Sequence, residues 1–396
     1  MAKLKVAVIF GGRSGEHEVS LVSAQSVMNA LDPEKYDVIP VGITREGAWI
    51  VGGDPLRALR QEDFSTTRSA AIFADPSKQG LWASVDPSVA QGIECKPDTP
   101  GELVAANARV GKLATLSQVD VVFPVLHGTF GEDGTVQGLL ELAGVPYVGA
   151  GVLCSALAMD KIAFKDVMTA HGLPLGGYLW TTRREWLADP EALMDRVEAE
   201  IGYPAFTKPA NLGSSVGISK CRDRAELRQG LEEAALYDRR ILIEWAVPAA
   251  REIEVSVIGN EDPTASVPGE IIPSREFYDY AAKYLDDGEH PSKLLIPAPL
   301  SAAQTAYVQE VAIAAYRAID GAGMARVDFL LNGETGDVYL NEINTIPGFT
   351  PISMYPKLWE ASGISYERLL DWLIDLAFDR HEENQRSERI YRPISR

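Results

Sequence analysis

Apolar positions mark out two differently built halves of the chain. Lys5 to Phe10 is a short Val- and Ile-rich run that reads as a buried strand and stops at Gly11-Gly12. Val19, Val22, Val27 and Ala30 then fall on one helical face, and Val38 to Ile43 reads as a second strand. Strand, helix, strand is a βαβ start and predicts a parallel sheet. Residues 52–118 lose the period. Pro and Gly are scattered through Asp54-Pro55, Asp75-Pro76, Asp86-Pro87 and Lys96 to Gly101, which reads as an insertion of short strands and turns. Val119 to Leu126 restores a buried strand that ends at His127-Gly128.

From about residue 151 the texture changes. Lys161 starts a helix that ends at His171-Gly172-Leu173-Pro174, and Pro204 to Lys208 reads as a strand. Ile241 to Glu244 is another strand, followed by a linker from Ala246 to Ala250, and Glu252 to Ile258 alternates. Ser301 caps a helix with an apolar stripe of Val308, Val311, Ala312, Ala315 and Ile319. Gly323 to Phe329 and Leu340 to Asn344 read as two strands. A last amphipathic helix carries Leu369, Leu370, Leu373, Ile374, Ala377 and Phe378, and a charged tail begins at His381. The chain has no internal repeat and no low-complexity segment.

A length of 396 residues with 46% hydrophobic content suffices for two or three cores. The net charge of −19 and pI near 4.8 argue against a nucleic-acid or anionic-membrane partner. The same acidity makes lysines gathered around an anionic ligand more informative. Cys95, Cys154 and Cys221 are far apart and form no CxxC, which excludes a disulfide framework and fits a reducing compartment. The opening residues lack the long apolar region of a signal peptide, and no run of about 18 apolar residues predicts a membrane span. A cytoplasmic location is the expectation.

Chemistry gathers at strand ends. Residues alternate across a strand, so Arg326 and Asp328 share one face, as do Glu342 and Asn344. Two carboxylates and an amide are hard oxygen donors that suit Mg²⁺ together with substrate phosphates; the same strands also read as a hairpin with polar outer faces. Gly11-Gly12-Arg13-Ser14-Gly15-Glu16 links a strand to a helix start. It reads either as an anion site or as an ordinary βα turn with a well-placed Glu. Its spacing is not GxGxxG, and Val38 to Ile43 ends in Thr44 rather than a ribose-holding acid, which disfavours a dinucleotide site. His127 to Gly134 is a second glycine loop at the carboxyl end of a strand, where α/β sheets bind ligands. Lys208 to Gly217 places a lysine before a Gly- and Ser-rich loop whose backbone N–H groups could cradle phosphate; it is not a Walker A. Tyr278 to Tyr284 sets Lys283 among three tyrosines between Pro273 and Pro291, which reads as a lid or as a surface segment.

In this order the motifs resemble the ATP-grasp superfamily, and within it the D-alanine–D-alanine ligase family. The resemblance rests on Gly11 to Ser20, His127 to Leu140, Met159-Asp160-Lys161, Lys208 to Gly217, Phe277 to Tyr284 and Arg326 to Gly348. It covers most of the chain outside 52–118 and the tail. The resemblance implies an ATP-grasp fold of three domains: 1–150, a parallel-sheet, Rossmann-like unit; 151–247, central; and 248–380, catalytic, with the tail at 381–396. It implies that Lys161, Lys208, Glu244, Val247, Glu252 and Lys283 hold ATP, with Lys283 at the transferred phosphate. Asp328, Glu342 and Asn344 would bind two Mg²⁺, for which Mn²⁺ substitutes. Glu16 would take the ammonium of the first D-alanine, with His127 also at the substrate. Glu16, Ser214 and Tyr284 would form a hydrogen-bonded set, Arg326 and the Gly348 N–H an oxyanion hole, and Ser353 a contact to the second carboxylate. The step from Glu244 to Glu252 is one residue longer than in short relatives.

The implied activity is ATP-dependent joining of two D-alanines, for peptidoglycan precursors, by a homodimer that uses small-molecule substrates. The alternatives are D-lactate as second substrate, another carboxylate–amine ligase, and a nucleotide-binding module without turnover. Tyr284 speaks for an amine nucleophile, and Arg326 with the three metal ligands speaks for turnover.

Overall fold

A computed structural model of the chain describes residues 2–78, 80–85, 112–273 and 292–388. The described residues form three sheets. The first runs β6-β5-β4-β3-β2-β1-β7, from β1 (Leu4–Gly11), β2 (Tyr36–Ile43), β3 (Trp49–Val51), β4 (Arg68–Ile72), β5 (Leu81–Val85), β6 (Lys112–Ser117) and β7 (Val121–Val125). Only β2, β1 and β7 are mutually parallel; the remaining strands add on antiparallel. The described part of the 52–118 region holds the short strands expected of it, and they lengthen the first sheet. Its proline also begins a helix, α2 (Pro55–Gln61), because Asp54 caps it by accepting from the Arg57 N–H at 3.0 Å.

Helix α1 (His17–Ala30) crosses this sheet, but not on the face read from sequence. Val22 is 45% exposed, whereas Ser20, Leu21, Ser23, Ala24 and Val27 are buried. The serines are buried because each has bonds to make. Ser20 accepts from the Gly11 N–H at 2.8 Å and donates to the Val125 carbonyl, tying α1 to β1 and β7. Helices α3 (Thr135–Ala143), α4 (Val152–Met159) and α5 (Lys161–Ala170) follow.

The second sheet is antiparallel, in the order β10-β9-β11-β8: β8 (Tyr178–Thr182), β9 (Ala205–Pro209), β10 (Ser219–Cys221) and β11 (Arg240–Trp245). Helices α6 (Arg183–Ala188), α7 (Pro190–Glu200) and α8 (Arg224–Tyr237) cover it, with Trp186, Met194, Leu227 and Leu231 in a core of its own.

The third sheet is built on β12 (Ala250–Ile258), with β13 (Thr264–Ala265), β14 (Gly269–Ile272), β15 (Lys293–Leu295), β16 (Met324–Asn332) and β17 (Val338–Asn344). Helix α9 (Ala302–Ala318) starts at Ser301 in a reciprocal capping box with Gln304, and buries Val308, Val311, Ala312 and Ala315 as its periodicity predicts. Phe164 and Met168 of α5 join the same core.

Helix α10 (Met354–Ala361) and the final helix, α11 (Tyr366–Gln385), close the chain. The helix runs past His381, so the expected tail starts too early; residues 389–396 lie outside the described part. The stripe Leu369, Leu370, Leu373 and Ile374 shares one core with Val6, Phe10 and Phe123 of the first sheet, Leu21 of α1, and Ile258 and Met324 of the third sheet. Asp371 reinforces this by accepting from Lys35 Nζ and Tyr36 Oη, each at 2.7 Å. The first and last parts of the chain thus share one core.

Candidate active site

Three loops converge on Glu16. It precedes α1, and its N–H donates to Ser14 Oγ at 3.1 Å. Ser214, on the loop after β9, donates its hydroxyl to Glu16 Oε1 across 198 positions of sequence. Gly128 and Gly213 flank the same carboxylate. A β-carbon at either would meet Glu16 Oε2, at 2.7 and 2.9 Å, so a side chain there would displace the carboxylate; Gly128 also has φ +72°, which favours glycine. Ser214 and Ser215 take left-handed backbone angles, φ 52° and 58°, a strained arrangement that turns this loop toward Glu16. Tyr284 and Lys283, with the rest of the expected lid, lie outside the described residues.

His127 is buried, and both ring nitrogens are used within the protein. Nδ1 lies 3.0 Å from the Ile346 carbonyl, so it carries the proton; Nε2, at 3.2 Å from Ser23 Oγ, then accepts. Burial lowers its pKa below the ordinary histidine value, in favour of this neutral tautomer, although Glu16 opposes the shift. The ring holds up the loop that carries Gly348. Glu132 does the same from the other side: Oε2 accepts from the Gly128 N–H at 2.6 Å, and Oε1 from the Ile346 N–H at 3.3 Å. Burial, with Glu16 nearby, pushes its carboxyl up to about 8. Sequence reading placed Glu132 in a glycine loop and gave it no role.

Strands β16 and β17 pair with Asp328 opposite Glu342 and Arg326 opposite Asn344, as alternation predicts. A register shift beside Asp328, at the Asn341 position, bends β17 here; such bulges re-aim side chains. Arg326 grips Asp328 with two bonds, Nε to Oδ1 at 2.7 Å and Nη2 to Oδ2 at 2.6 Å. Its Nε also lies 3.1 Å from Glu254, which stands opposite Asp328 on β12. Glu254 is buried and was not singled out from sequence. Burial works against the Arg326 charge, but Asp328 and Glu254 outweigh it and raise the pKa well above the usual arginine value. Asn344 Oδ1 accepts from the Ile346 N–H at 3.1 Å. Ser353, at the start of α10, packs its hydroxyl against Gly348 and bonds to Thr350 Oγ1 at 2.7 Å.

At the far end Glu244, on β11, sits between two lysines. Lys165 Nζ lies 2.5 Å from Oε1 and Lys208 Nζ 2.5 Å from Oε2. Burial alone would raise the carboxyl pKa, yet the lysines hold it at about 2. For Lys208 the burial cost is likewise outweighed by Glu244, and its pKa is raised. Lys161, one turn before Lys165 on α5, donates to the Leu212 carbonyl at 2.6 Å and so reaches the Ser214 loop. Val247 follows β11 and Glu252 lies on β12, both half-buried. Lys165 was missed from sequence, though a readable signal existed: it lies three residues from both Ile162 and Met168, on the buried stripe of α5.

One electrostatic chain links these pieces. Glu16 and Arg326 both act on Glu132 and His127, Glu342 acts on Arg326, and Glu342 and Glu252 act on Lys208. Among the described residues no three acidic, histidine or cysteine side chains converge on one point. Asp328, Glu342 and Asn344 instead offer two carboxylates and an amide on adjacent strands. That oxygen set fits a hard divalent cation completed by phosphate oxygens.

Two sequence profiles match the chain. One, described as D-ala D-ala ligase N-terminus, matches residues 5–150; the other, D-ala D-ala ligase C-terminus, matches residues 167–375. A D-alanine–D-alanine ligase of Natranaerobius thermophilus is 49% identical over 388 residues, 98% of each chain. The solved D-alanine–D-alanine ligase of Coxiella burnetii superposes with a TM-score of 0.79 at 36% identity, over 98% of this chain and 97% of that one. The VanG D-Ala:D-Ser ligase from Enterococcus faecalis superposes at 0.78 with 35% identity, over 95% and 100%. With both halves matched and the fold shared from end to end, the chain belongs to the ATP-dependent D-alanine–D-alanine ligase family.

Proposed function

We propose that the chain joins two D-alanines into D-alanyl-D-alanine for peptidoglycan precursors, at the expense of ATP and through a D-alanyl phosphate. The contact between Glu16 and Ser214 carries this reading. It brings a carboxylate suited to an ammonium group against a glycine- and serine-rich loop suited to phosphates, as an amino-acid-activating ligase requires.

A carboxylate is a poor electrophile, so phosphorylation must come first, and that step needs charge neutralisation above all. Lys161, Lys208, Glu244, Val247, Glu252 and Lys283 take the nucleotide in this reading. Asp328, Glu342 and Asn344 would hold two Mg²⁺, with Mn²⁺ as a substitute; the bound cations would neutralise phosphate charge. Glu16 binds the first ammonium. Arg326 and the Gly348 N–H face the tetrahedral oxyanion, and Ser353 serves the second carboxylate. His127 acts by holding the Ile346–Phe349 segment in place. Tyr284 completes the Glu16–Ser214 set. The same reading divides the chain at about residues 150 and 247 and makes the working form a cytoplasmic homodimer; no described helix is long and apolar enough to cross a membrane.

The test is phosphate release against a panel of D-amino acids and D-hydroxy acids that includes D-serine and D-lactate. D-Alanine alone should support turnover and yield the dipeptide. ATP hydrolysis without dipeptide, or preference for another nucleophile, would overturn the reading.

A further inference from the structure

Glu244 is held by two lysines, and the nucleotide reading accounts for only one of them. Lys208 ends a strand at the phosphate loop, where its charge can serve the nucleotide. Lys165 lies inside α5, with 3% of its side chain exposed, and faces Glu244. We propose that Lys165 is the positioning residue that sets base selectivity. It keeps Glu244 ionised and aligned, so that the carboxylate accepts from the 6-amino group of adenine and rejects a 6-oxo purine. The inference rests on the reading of Glu244 as the adenine residue.

The geometry gives each lysine its own oxygen of Glu244, both at 2.5 Å. A triphosphate draws Lys208 away from the carboxylate. Lys165 has nowhere else to go: its helix is pinned by Asp160, which caps α5 and takes two bonds from Arg240 at 2.9 Å. Glu244 therefore keeps one counter-ion when the nucleotide arrives. Without Lys165 it would be a buried carboxylate with no partner, and such a group takes up a proton. A protonated carboxyl can donate as well as accept, so it would pair with the 6-oxo group of hypoxanthine as readily as with the 6-amino group of adenine. The charge on Glu244, and hence Lys165, makes the difference.

The test compares equilibrium binding of ATP and inosine triphosphate to the intact chain by calorimetry, with Mg²⁺ and without D-alanine. The parent should prefer ATP. Lys165→Met should reduce the ATP-to-ITP affinity ratio by about tenfold or more, the worth of a charge-assisted hydrogen bond. Its kcat at saturating ATP should stay within about threefold. Lys165→Arg should restore the ratio. Equal weakening of both nucleotides, or a fallen kcat with an unchanged affinity ratio, would overturn the proposal and leave Lys165 a packing residue. Glu244→Ala separates the two readings. If it erases discrimination while Lys165→Met does not, only the Lys165 proposal fails. If it leaves discrimination intact, the adenine reading fails and the proposal with it. Should Lys165→Met not fold, Lys165→Gln removes the charge at similar length and gives the same readout.

Discussion

Replacing Arg326 by methionine should damage the protein twice, by separable amounts. The guanidinium makes two bonds to Asp328 and lies 3.1 Å from Glu254, and both carboxylates are buried. Methionine keeps much of the volume and removes the charge, leaving two buried acids without their cation. Breaking a buried pair from one side costs about 3–5 kcal/mol. For a cooperative unit of about 150–250 residues, that lowers Tm by roughly 6–20 °C. Losing the oxyanion donor should cost roughly 3 kcal/mol more in kcat, about 10²-fold, with a smaller change in the ATP KM. Scanning fluorimetry with and without Mg²⁺ separates the effects. The variant should gain more from Mg²⁺ than the parent, because the ion supplies the missing charge to Asp328, whereas in the parent it competes with the guanidinium. A variant that melts within about 2 °C of the parent would refute the pairing. A rise in ATP KM alone would make Arg326 a nucleotide residue.

Glu342→Gln removes one of the two carboxylates in the oxygen set and should cost on the order of 10²-fold in turnover; near-normal activity at limiting Mg²⁺ would remove it from the cation site. Ser214→Ala deletes the hydroxyl bonded to Glu16 and should lower kcat/KM for D-alanine by about fivefold, the usual worth of one hydrogen bond; unchanged kcat/KM would argue against that contact. Glu132 has a carboxyl raised from its ordinary value to about 8. The folded state therefore holds a proton that the unfolded chain has lost between about pH 4.5 and 8, and its contribution to stability falls as pH rises through that window, by at most ~1.4 kcal/mol per pH unit. Urea titrations at several pH values should show this slope flattened in Glu132→Gln, and an identical slope would refute the shift.

Most of what was legible in the sequence sat at strand ends. There a buried run stops, the chain turns, and polar residues have no packing reason to be present. Gly11 to Glu16, His127 to Gly134, Lys208 to Gly217 and Arg326 to Gly348 are all of this kind. The three residues given no role lie inside regular elements or a loop whose partners are remote. Glu254 alternates with Glu252 and Ser256 on β12, and nothing local says that this polar face turns to Arg326 rather than to water. Lys165 lies on the apolar stripe of α5, which marks it as buried, but nothing local names its partner, Glu244, 79 positions later. Glu132 bonds to Ile346, 214 residues away. The α1 face was misread for a related reason: Ser20 and Ser23 are buried to bond with β1, β7 and His127, and periodicity counts only apolar atoms.

The distribution of cores says which of these contacts report on closure. Phe10 and Phe123 of the first sheet and Leu21 of α1 share a core with Leu369 to Ile374 of the last helix, so the Glu16 and Gly348 loops ride on one packed body. The second sheet keeps its own core around Trp186, Met194 and Leu231. Its side chains reach α5 through a small cluster of Ile162, Ala210 and Leu242, and through the Lys165–Glu244 pair. The Glu16–Ser214 bond therefore joins two separately stabilised bodies. A bond of that kind adds little to the cooperative stability of either, because each core persists when it opens. Arg326, by contrast, holds carboxylates inside a single sheet. Loss of Ser214 should thus fall almost entirely on kinetics and loss of Arg326 on both stability and kinetics, a division set by where the cores lie and not by the strength of the bonds themselves.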